Sequence, residues 1–310
     1  MKSINRKPNI TVVGACNIDL VSYVPRLPAA GETLHGSRFH MGFGGKGANQ
    51  AVMAAKLGAQ VTMITKLGSD VFGENTLKNF ESLGISTKHV HFTEQAFSGV
   101  APIAVDSSGQ NSIIIVTGAN DLLTPEDVAA AQPEIAAADV LVCQLEIPIE
   151  PNLAALRLAR AAGVTTIFNP APAKPELPEE VYRLSSVFCP NETETQLLTG
   201  RAIRSLEDAE SAARVLLSRG PDSVILTLGD RGSMVVTQDQ ARHIPAKAVK
   251  ALDSTGAGDA YVGSLAYLLG LGLPLLDAAQ RAGSIASLSV LKSGTQSSFP
   301  SREEVKDLLD

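Results

Sequence analysis

The sequence contains no tryptophan, and aromatic residues make up only 4% of it. Stacking platforms for single-stranded nucleic acid are built from such rings, so that class of partner is excluded. Positive charge in bulk is also missing. Lys and Arg number 26 against 32 Asp and Glu, the net charge is −6, and there is no long basic run. Nucleic acid and anionic membrane are therefore not expected as bulk partners. For an anionic ligand the positive field has to be local, from helix ends, a few basic side chains or bound cations. Cysteine is limited to Cys16, Cys143 and Cys189, each in or beside a strand-like run and without metal-ligand spacing. Buried free thiols in a reducing compartment are the expectation. No uncharged apolar run approaches a membrane span. The start, Met1 to Asn9, is polar and has no apolar signal core, so a cytoplasmic, soluble protein is expected.

What is present is 310 residues, 45% of them apolar, enough for one large α/β domain over residues 1–310. Ile10–Cys16 is a short, β-branched apolar run that reads as a buried central strand. Residues 20–44 carry Pro25, Pro28, Gly31, Gly36, Gly42 and Gly44. They read as short strands on a flap, and Ser98–Val105 has the same character. Together, about 18–44 and 98–118 are expected to form a small β lid. From Val61 onward strand and helix alternate. Strand-like runs are Val61–Ile64, Ser112–Val116, Val140–Leu145, Val164–Phe168, Val187–Pro190 and Ser223–Leu228. Helical signals are Ala48–Leu57, Val71–Leu83, the Thr124-Pro125-Glu126-Asp127 start, and Leu275–Leu291. The pattern predicts a mostly parallel sheet with helices on both faces.

Asp253-Ser254-Thr255-Gly256-Ala257-Gly258-Asp259 precedes an apolar run, Ala260–Leu269, that reads as a buried helix. The first N–H groups of a helix lack internal partners and carry the positive end of its dipole, so an anion belongs there. Asp259 falls in the first turn beside that anion site, as a base for phosphoryl transfer to a hydroxyl requires. The same residues also read as a dipole partner and a turn. Gly42-Phe43-Gly44-Gly45-Lys46-Gly47 matches G-x-G-x-x-G, but Arg38–Met41 is a poor parallel strand and Lys46 is followed by Gly47. Neither the dinucleotide fingerprint nor a Walker loop fits. A Gly-rich turn entering a helix remains, either for close approach to a small polar ligand or as structure alone. Polar residues recur at strand ends: Asp19, Glu146, Asn191, Glu194, Asp230 and Asp259. In an open α/β sheet those ends share one edge, where ligands bind. Asp19 there is a candidate acceptor for two neighbouring hydroxyls or a turn former. The polar loop Lys292–Ser298 could wrap a weakly hydrated cation or simply solvate a tail.

Four stretches carry a resemblance: Gly44-Gly45-Lys46-Gly47-Ala48-Asn49-Gln50, Asn169-Pro170-Ala171-Pro172-Ala173, Pro190-Asn191-Glu192-Thr193-Glu194, and Asp253 to Asp259. Their order and character resemble the ribokinase-type carbohydrate kinase family, from Val12 to about Pro300. The resemblance implies a three-layer α/β/α fold with a β-strand lid, and ATP-dependent phosphorylation of D-ribose on its 5-hydroxyl. It implies Asp259 as general base and the amides of Gly256, Ala257 and Gly258 as an anion hole. It implies Asn17, Asp19, Gly45, Lys46, Gly47, Ala48, Asn49 and Glu146 as sugar-binding positions, with Asp259. Asn191, Thr227, Leu228, Gly229, Asp230, Arg231 and Gly232, with Gly258 and Asp259, match nucleotide-binding positions. Glu194 matches a carboxylate acting on Mg²⁺ through water. Asp253, Thr255, Ser289, Lys292, Gly294 and Ser298 match a potassium loop, the last four chiefly through backbone oxygens. A homodimer through the lids follows by analogy. Gly283 departs from the family, standing near the adenine position where relatives carry a polar side chain. A sibling kinase for deoxyribose, fructose or a nucleoside is one alternative. A non-catalytic sugar sensor on the same scaffold and a dinucleotide oxidoreductase are others.

Overall fold

The computed structural model describes residues 6–309; the first five residues of the polar start lie outside them. Strands are β1 (Asn9–Val13), β2 (Asn17–Tyr23), β3 (Arg38–Gly44), β4 (Gln60–Gly68), β5 (Ser86–Thr93), β6 (Gly99–Val105), β7 (Asn111–Ile113), β8 (Val140–Gln144), β9 (Thr165–Asn169), β10 (Val187–Phe188), β11 (Ser223–Thr227), β12 (Ser233–Val236) and β13 (Ala241–Ile244). Helices are α1 (Lys46–Lys56), α2 (Val71–Ser82), α3 (Pro125–Ala129), α4 (Gln132–Ala136), α5 (Ile149–Ala161), α6 (Glu179–Arg183), α7 (Glu192–Thr199), α8 (Leu206–Leu217), α9 (Ala257–Gly270), α10 (Leu275–Ser289) and α11 (Lys306–Leu309).

β1 is the pivot. It pairs in parallel with β4 through Val12↔Met63 and with β8 through Val12↔Val142. The large sheet has nine strands in the order β13-β12-β11-β10-β9-β8-β1-β4-β5. It is parallel except at one edge, where β12 pairs antiparallel with β11 and β13. Strands buried on both faces read as continuous apolar runs, which is why β1, β8 and β9 were legible. One apolar layer lies under α1, α9 and α10 and includes Val12, Met53, Leu265 and Ile285. The other lies under α5 and α8 and includes Val13, Leu156, Phe168 and Leu216. This is a three-layer α/β/α fold.

A second sheet of four strands, β3-β2-β6-β7, leaves the main body directly after β1. Its register places Asp19 opposite Gly42 and beside Ala101. The expected strand Ser112–Val116 is shorter than read: β7 ends at Ile113, and Val116 forms only an isolated bridge with Val100. Ile114 and Ile115 are exposed there, so an apolar run did not mean a buried strand. Three strands carried too little signal to be read: β5, and the antiparallel β12 and β13 at the opposite edge. The Thr124 start is a full capping box with Asp127. The helix expected from Ala48 begins two residues earlier, at Lys46. Among the described residues no helix is long and apolar enough to cross a membrane.

Candidate active site

The chain turns sharply between β3 and α1 at Gly45, whose φ is +85°. A Cβ there would lie 2.7 Å from Cys16 Cα, so the Gly-rich turn is seated directly on the end of β1. The turn therefore serves close packing as well as presentation. α1 then starts with Lys46, whose backbone N–H donates to Glu146 Oε2 at 2.7 Å. Glu146 lies just past β8, and Asp19 comes from the small sheet. The gap between the two sheets is thus lined by carboxylates from both. Asp19 lies over the backbone of Gly44, where a Cβ would meet Asp19 Oδ1 at 2.3 Å. Asn17 is buried, and its Oδ1 accepts from Asn120 Nδ2 at 2.9 Å.

Gly256, in the left-handed region at φ +77°, is the N-cap of α9. Ala257, Gly258 and Asp259 form its first turn. The N–H of Ala257 is turned back to the Ser254 carbonyl at 3.2 Å. Gly258 stands at the surface of the helix tip, with no heavy atom within 4 Å of where a Cβ would sit. Asp259 is only 6% exposed. Its Oδ2 accepts from Asn49 Nδ2 and its Oδ1 from Gln50 Nε2, both at 2.9 Å. α1 and α9 come close enough for this because Gly263, one turn beyond Asp259, faces the Gln50 carbonyl. A Cβ at Gly263 would lie 2.6 Å from that oxygen.

Burial pushes the Asp19 carboxyl up to about 6, and the negative charges of Glu146 and Asp259 push in the same direction. Glu146 and Glu194 are likewise raised by burial, against the pull of Lys46. Burial opposes the charge on Lys46, but Asp259, Glu146 and Glu194 outweigh it and hold the ammonium above its ordinary range. Lys46 is therefore the cation at the meeting point of these acids.

A cavity of about 180 Å³ connects Lys46, Asn191, Glu194, Thr227, Gly258 and Asp259. Asn191 and Glu194 form a capping box at the start of α7, with Glu194 Oε2 accepting from the Asn191 N–H at 2.8 Å. Beyond it opens a mostly apolar cleft of about 720 Å³, walled by Thr227, Gly229, Asp230, Ile244, Tyr261 and Gly283. Gly283 does border this cleft. Three expected members do not. Asp259 borders only the smaller cavity. Leu228 is fully buried in the core, and the Arg231 guanidinium is paired with Glu192.

Asp253 caps the loop before α9 from the other side. Its Oδ1 accepts from the Thr255 N–H and its Oδ2 from the Gly294 N–H, both at 2.9 Å. Partial burial opposes its charge, but hydrogen bonds from the Thr255 side chain and from the Gly294 and Thr255 N–H groups prevail and hold it below the usual carboxylate range. Loop 289–298 is thereby joined to the helix tip. Ser289 and Ser298 are buried, and their hydroxyls bond to the carbonyls of Ala286 and Thr295, both at 2.8 Å. Lys292 points away and pairs with Glu304.

The model of the pfkB family of carbohydrate kinases matches residues 7–302. The chain belongs to the pfkB family of carbohydrate kinases. It is 47% identical over 300 residues to the ribokinase of Mus musculus, covering 96% of this chain and 93% of that one. It is 41% identical over 301 residues to the deoxyribokinase of Salmonella typhimurium, covering 97% and 98%. Among solved structures, ribokinase of Arabidopsis thaliana complexed with ribose and ATP superposes with a TM-score of 0.89 at 30% identity, covering 98% and 99%. The fold is ribokinase-like, and the protein is a kinase with an alcohol group of a sugar as acceptor.

Several polar residues around this kinase site were not singled out from sequence. Gln50 was quoted within the Gly-rich motif without a role. Asn120 and Asn79 gave no sign, and Gln296 was read only as part of the polar loop Lys292–Ser298. For Gln50 a signal was present: a polar residue on the face of α1 that carries Met53 and Ala54 has to find a buried partner.

Proposed function

We propose that this kinase transfers the γ-phosphoryl of ATP to the 5-hydroxyl of D-ribose, giving D-ribose 5-phosphate. The observation that carries this is the position of Asp259. Its carboxylate is buried at the tip of α9, bonded to Asn49 of the Gly-rich motif, and borders the cavity that leads to the large cleft. The sugar lies between the sheets, with hydroxyls on Asp19, Asn17, Asn49, Glu146 and the backbone of Gly45 to Ala48. ATP occupies the larger cleft, reached by Asn191, Thr227, Gly229, Asp230 and Gly232. Asp259 takes the proton from the attacking hydroxyl. Backbone amides of Gly256 and Gly258 steady charge on the transferring group, joined by Ala257 once its N–H leaves the Ser254 carbonyl, and little covalent chemistry is asked of side chains.

Asn191 and Glu194 would hold magnesium through water, because both Glu194 oxygens already accept a hydrogen bond from Asn191. The chemistry supplied by bound magnesium is neutralisation of phosphate oxygens. Asp253 and Thr255, with backbone oxygens of Ser289, Lys292, Gly294 and Ser298, would hold potassium under the helix tip. The small sheet acts as a lid that closes over the sugar and excludes water. Phe39, Met41 and Ile114 are exposed on and beside that sheet, which fits pairing of two lids in a homodimer. Three buried free thiols fit a cytoplasmic location.

A second reading, 2-deoxyribose as acceptor, is favoured by the deoxyribokinase relative. The deciding experiment supplies ATP with ribose or 2-deoxyribose, with and without potassium, and identifies the sugar phosphate. Higher kcat/KM for ribose supports the first reading; preference for deoxyribose replaces it. Phosphorylation of neither sugar overturns both.

A further inference from the structure

The amides around Asp259 form two arms, and every amide in them donates toward the carboxylate. In the inner arm Gln144 Nε2 donates to Gln50 Oε1 at 2.7 Å, and Gln50 Nε2 donates to Asp259 Oδ1 at 2.9 Å. In the outer arm Asn79 Nδ2 donates to Gln296 Oε1 at 3.0 Å, and Gln296 Nε2 to Asn49 Oδ1 at 3.1 Å. Asn49 Nδ2 then donates to Asp259 Oδ2 at 2.9 Å. An amide side chain presents an acceptor on one side and a donor on the other. Gln296, by donating to Asn49 Oδ1, compels Asn49 to turn its N–H₂ toward Asp259. Asn79, by donating to Gln296 Oε1, sets Gln296 in the same sense.

Gln296 is well anchored for such a task. It is 8% exposed, and its backbone carbonyl accepts from Lys56 Nζ at 2.7 Å, with the Phe299 carbonyl taking a second bond from the same ammonium at 2.9 Å. It belongs to loop 289–298, which Asp253 ties to the α9 tip through Gly294. One loop therefore reaches the region of the α9 tip by two routes, through the Gly294 N–H on Asp253 and through the Gln296 side chain on Asn49.

We infer that Gln296 is a positioning residue for the reaction: acting through Asn49, it holds the plane of the Asp259 carboxylate toward the acceptor hydroxyl. It does not touch the reacting atoms. The inference rests on Asp259 being the base. Misplacement of a reacting group by a fraction of an ångström up to about 1 Å costs up to about 10²-fold in rate. Gln296→Met keeps length and removes the donor, so kcat is expected to fall about tenfold, with the KM for ATP unchanged. Asn79→Asp, which sets a carboxylate against Gln296 Oε1 in place of the outermost donor and so favours the reversed Gln296 amide, is expected to lower kcat about threefold and serves if the first variant folds poorly.

The test measures kcat for Gln296→Met, Asp259→Asn and the double variant. Non-additivity is the expected result: in the Asp259→Asn background, Gln296→Met changes residual turnover by less than about twofold. Wild-type kcat in both outer-arm variants, alongside a crippled Asp259→Asn, overturns the inference while leaving the base in place. An undiminished tenfold loss in the double variant overturns it too, since Gln296 would then act on something other than Asp259. Near-normal turnover in Asp259→Asn removes the base itself and this inference with it.

Discussion

Asp259 Oδ1 lies 2.9 Å from the side-chain nitrogen of Gln50, a residue 209 positions earlier in the chain. With Asn49 on the other oxygen, the carboxylate faces two N–H donors. Asp259→Asn therefore does more than remove a base, because its new N–H₂ has to face one of those donors. Turnover is expected to fall by about 10² or more, the scale of general-base contributions, while ribose and ATP binding stay near normal. Steady-state rates with calorimetric titration of each ligand provide the check. Near-normal turnover would exclude Asp259 as the base.

Asp19 yields a prediction with opposite signs for stability and binding. Its carboxyl is raised to about 6 by burial and by Glu146 and Asp259. The folded protein thus binds a proton that the unfolded chain has released between the ordinary carboxylate range and about 6. Stability from this group falls as pH rises through that window. Asp19→Asn should stabilise the ligand-free protein at neutral pH by on the order of 1–3 kcal/mol, read by urea unfolding. Sugar affinity behaves in reverse, since the ionised carboxylate is the better acceptor. It should weaken as pH drops below about 6, and Asp19→Ala should cost about 10- to 100-fold. Unchanged ribose affinity in that variant would remove Asp19 from the sugar site.

Gly258 separates structure from chemistry at the α9 tip. A Cβ there meets nothing within 4 Å, so Gly258→Ala should leave stability unchanged or raise it by about 0.5–1 kcal/mol. The same methyl points into the clefts assigned to nucleotide and phosphoryl group. Turnover is expected to fall by about 10². A stable variant with full activity would show that no phosphoryl group approaches this amide.

Asp253 governs the proposed potassium effect. Asp253→Asn should abolish most of the stimulation by potassium chloride, and because its new N–H₂ has to face the Thr255 or the Gly294 N–H it should also lower the rate without potassium. Tetramethylammonium chloride serves as the ionic-strength control. Full stimulation in the variant would put the cation elsewhere.

Ile114 tests the association of lids. It is 63% exposed beside β7, and an aspartate there should disfavour burial against a second copy. Ile114→Asp is expected to run as a monomer by light scattering where the parent runs as a dimer. A parent that is monomeric at micromolar concentration contradicts the proposal.

The central strands were legible because a strand covered on both faces is dominated by apolar residues, as Val140–Cys143 is. The edge was not. β12 is buried throughout but only four residues long, and β13 has two exposed residues between half-buried ends, so neither offers an apolar run long enough or an alternation regular enough to separate it from a loop. Ile114 to Val116 misled in the other direction, since residues exposed on a small sheet can carry the same letters as a core.

Local chemistry dictated a great deal of this site in advance. The small residues opening α9 and the acid in its first turn could be read from sequence as an anion site with a base or as a turn with a dipole partner. The Gly-rich turn had to be read as a turn, because neither a good strand before it nor a hydroxyl residue after Lys46 was present. Those conclusions depend on backbone geometry within a few residues, which the order of amino acids carries directly. Only the tertiary structure decided which distant groups the acid would meet. Asn49, Gln50, Asn79 and Gln296 reach it because Gly263 lets α1 lie against α9 and Lys56 pins the last loop. Such contacts are set by the packing of whole elements, and an amide side chain gives no hint of its partner until that packing exists.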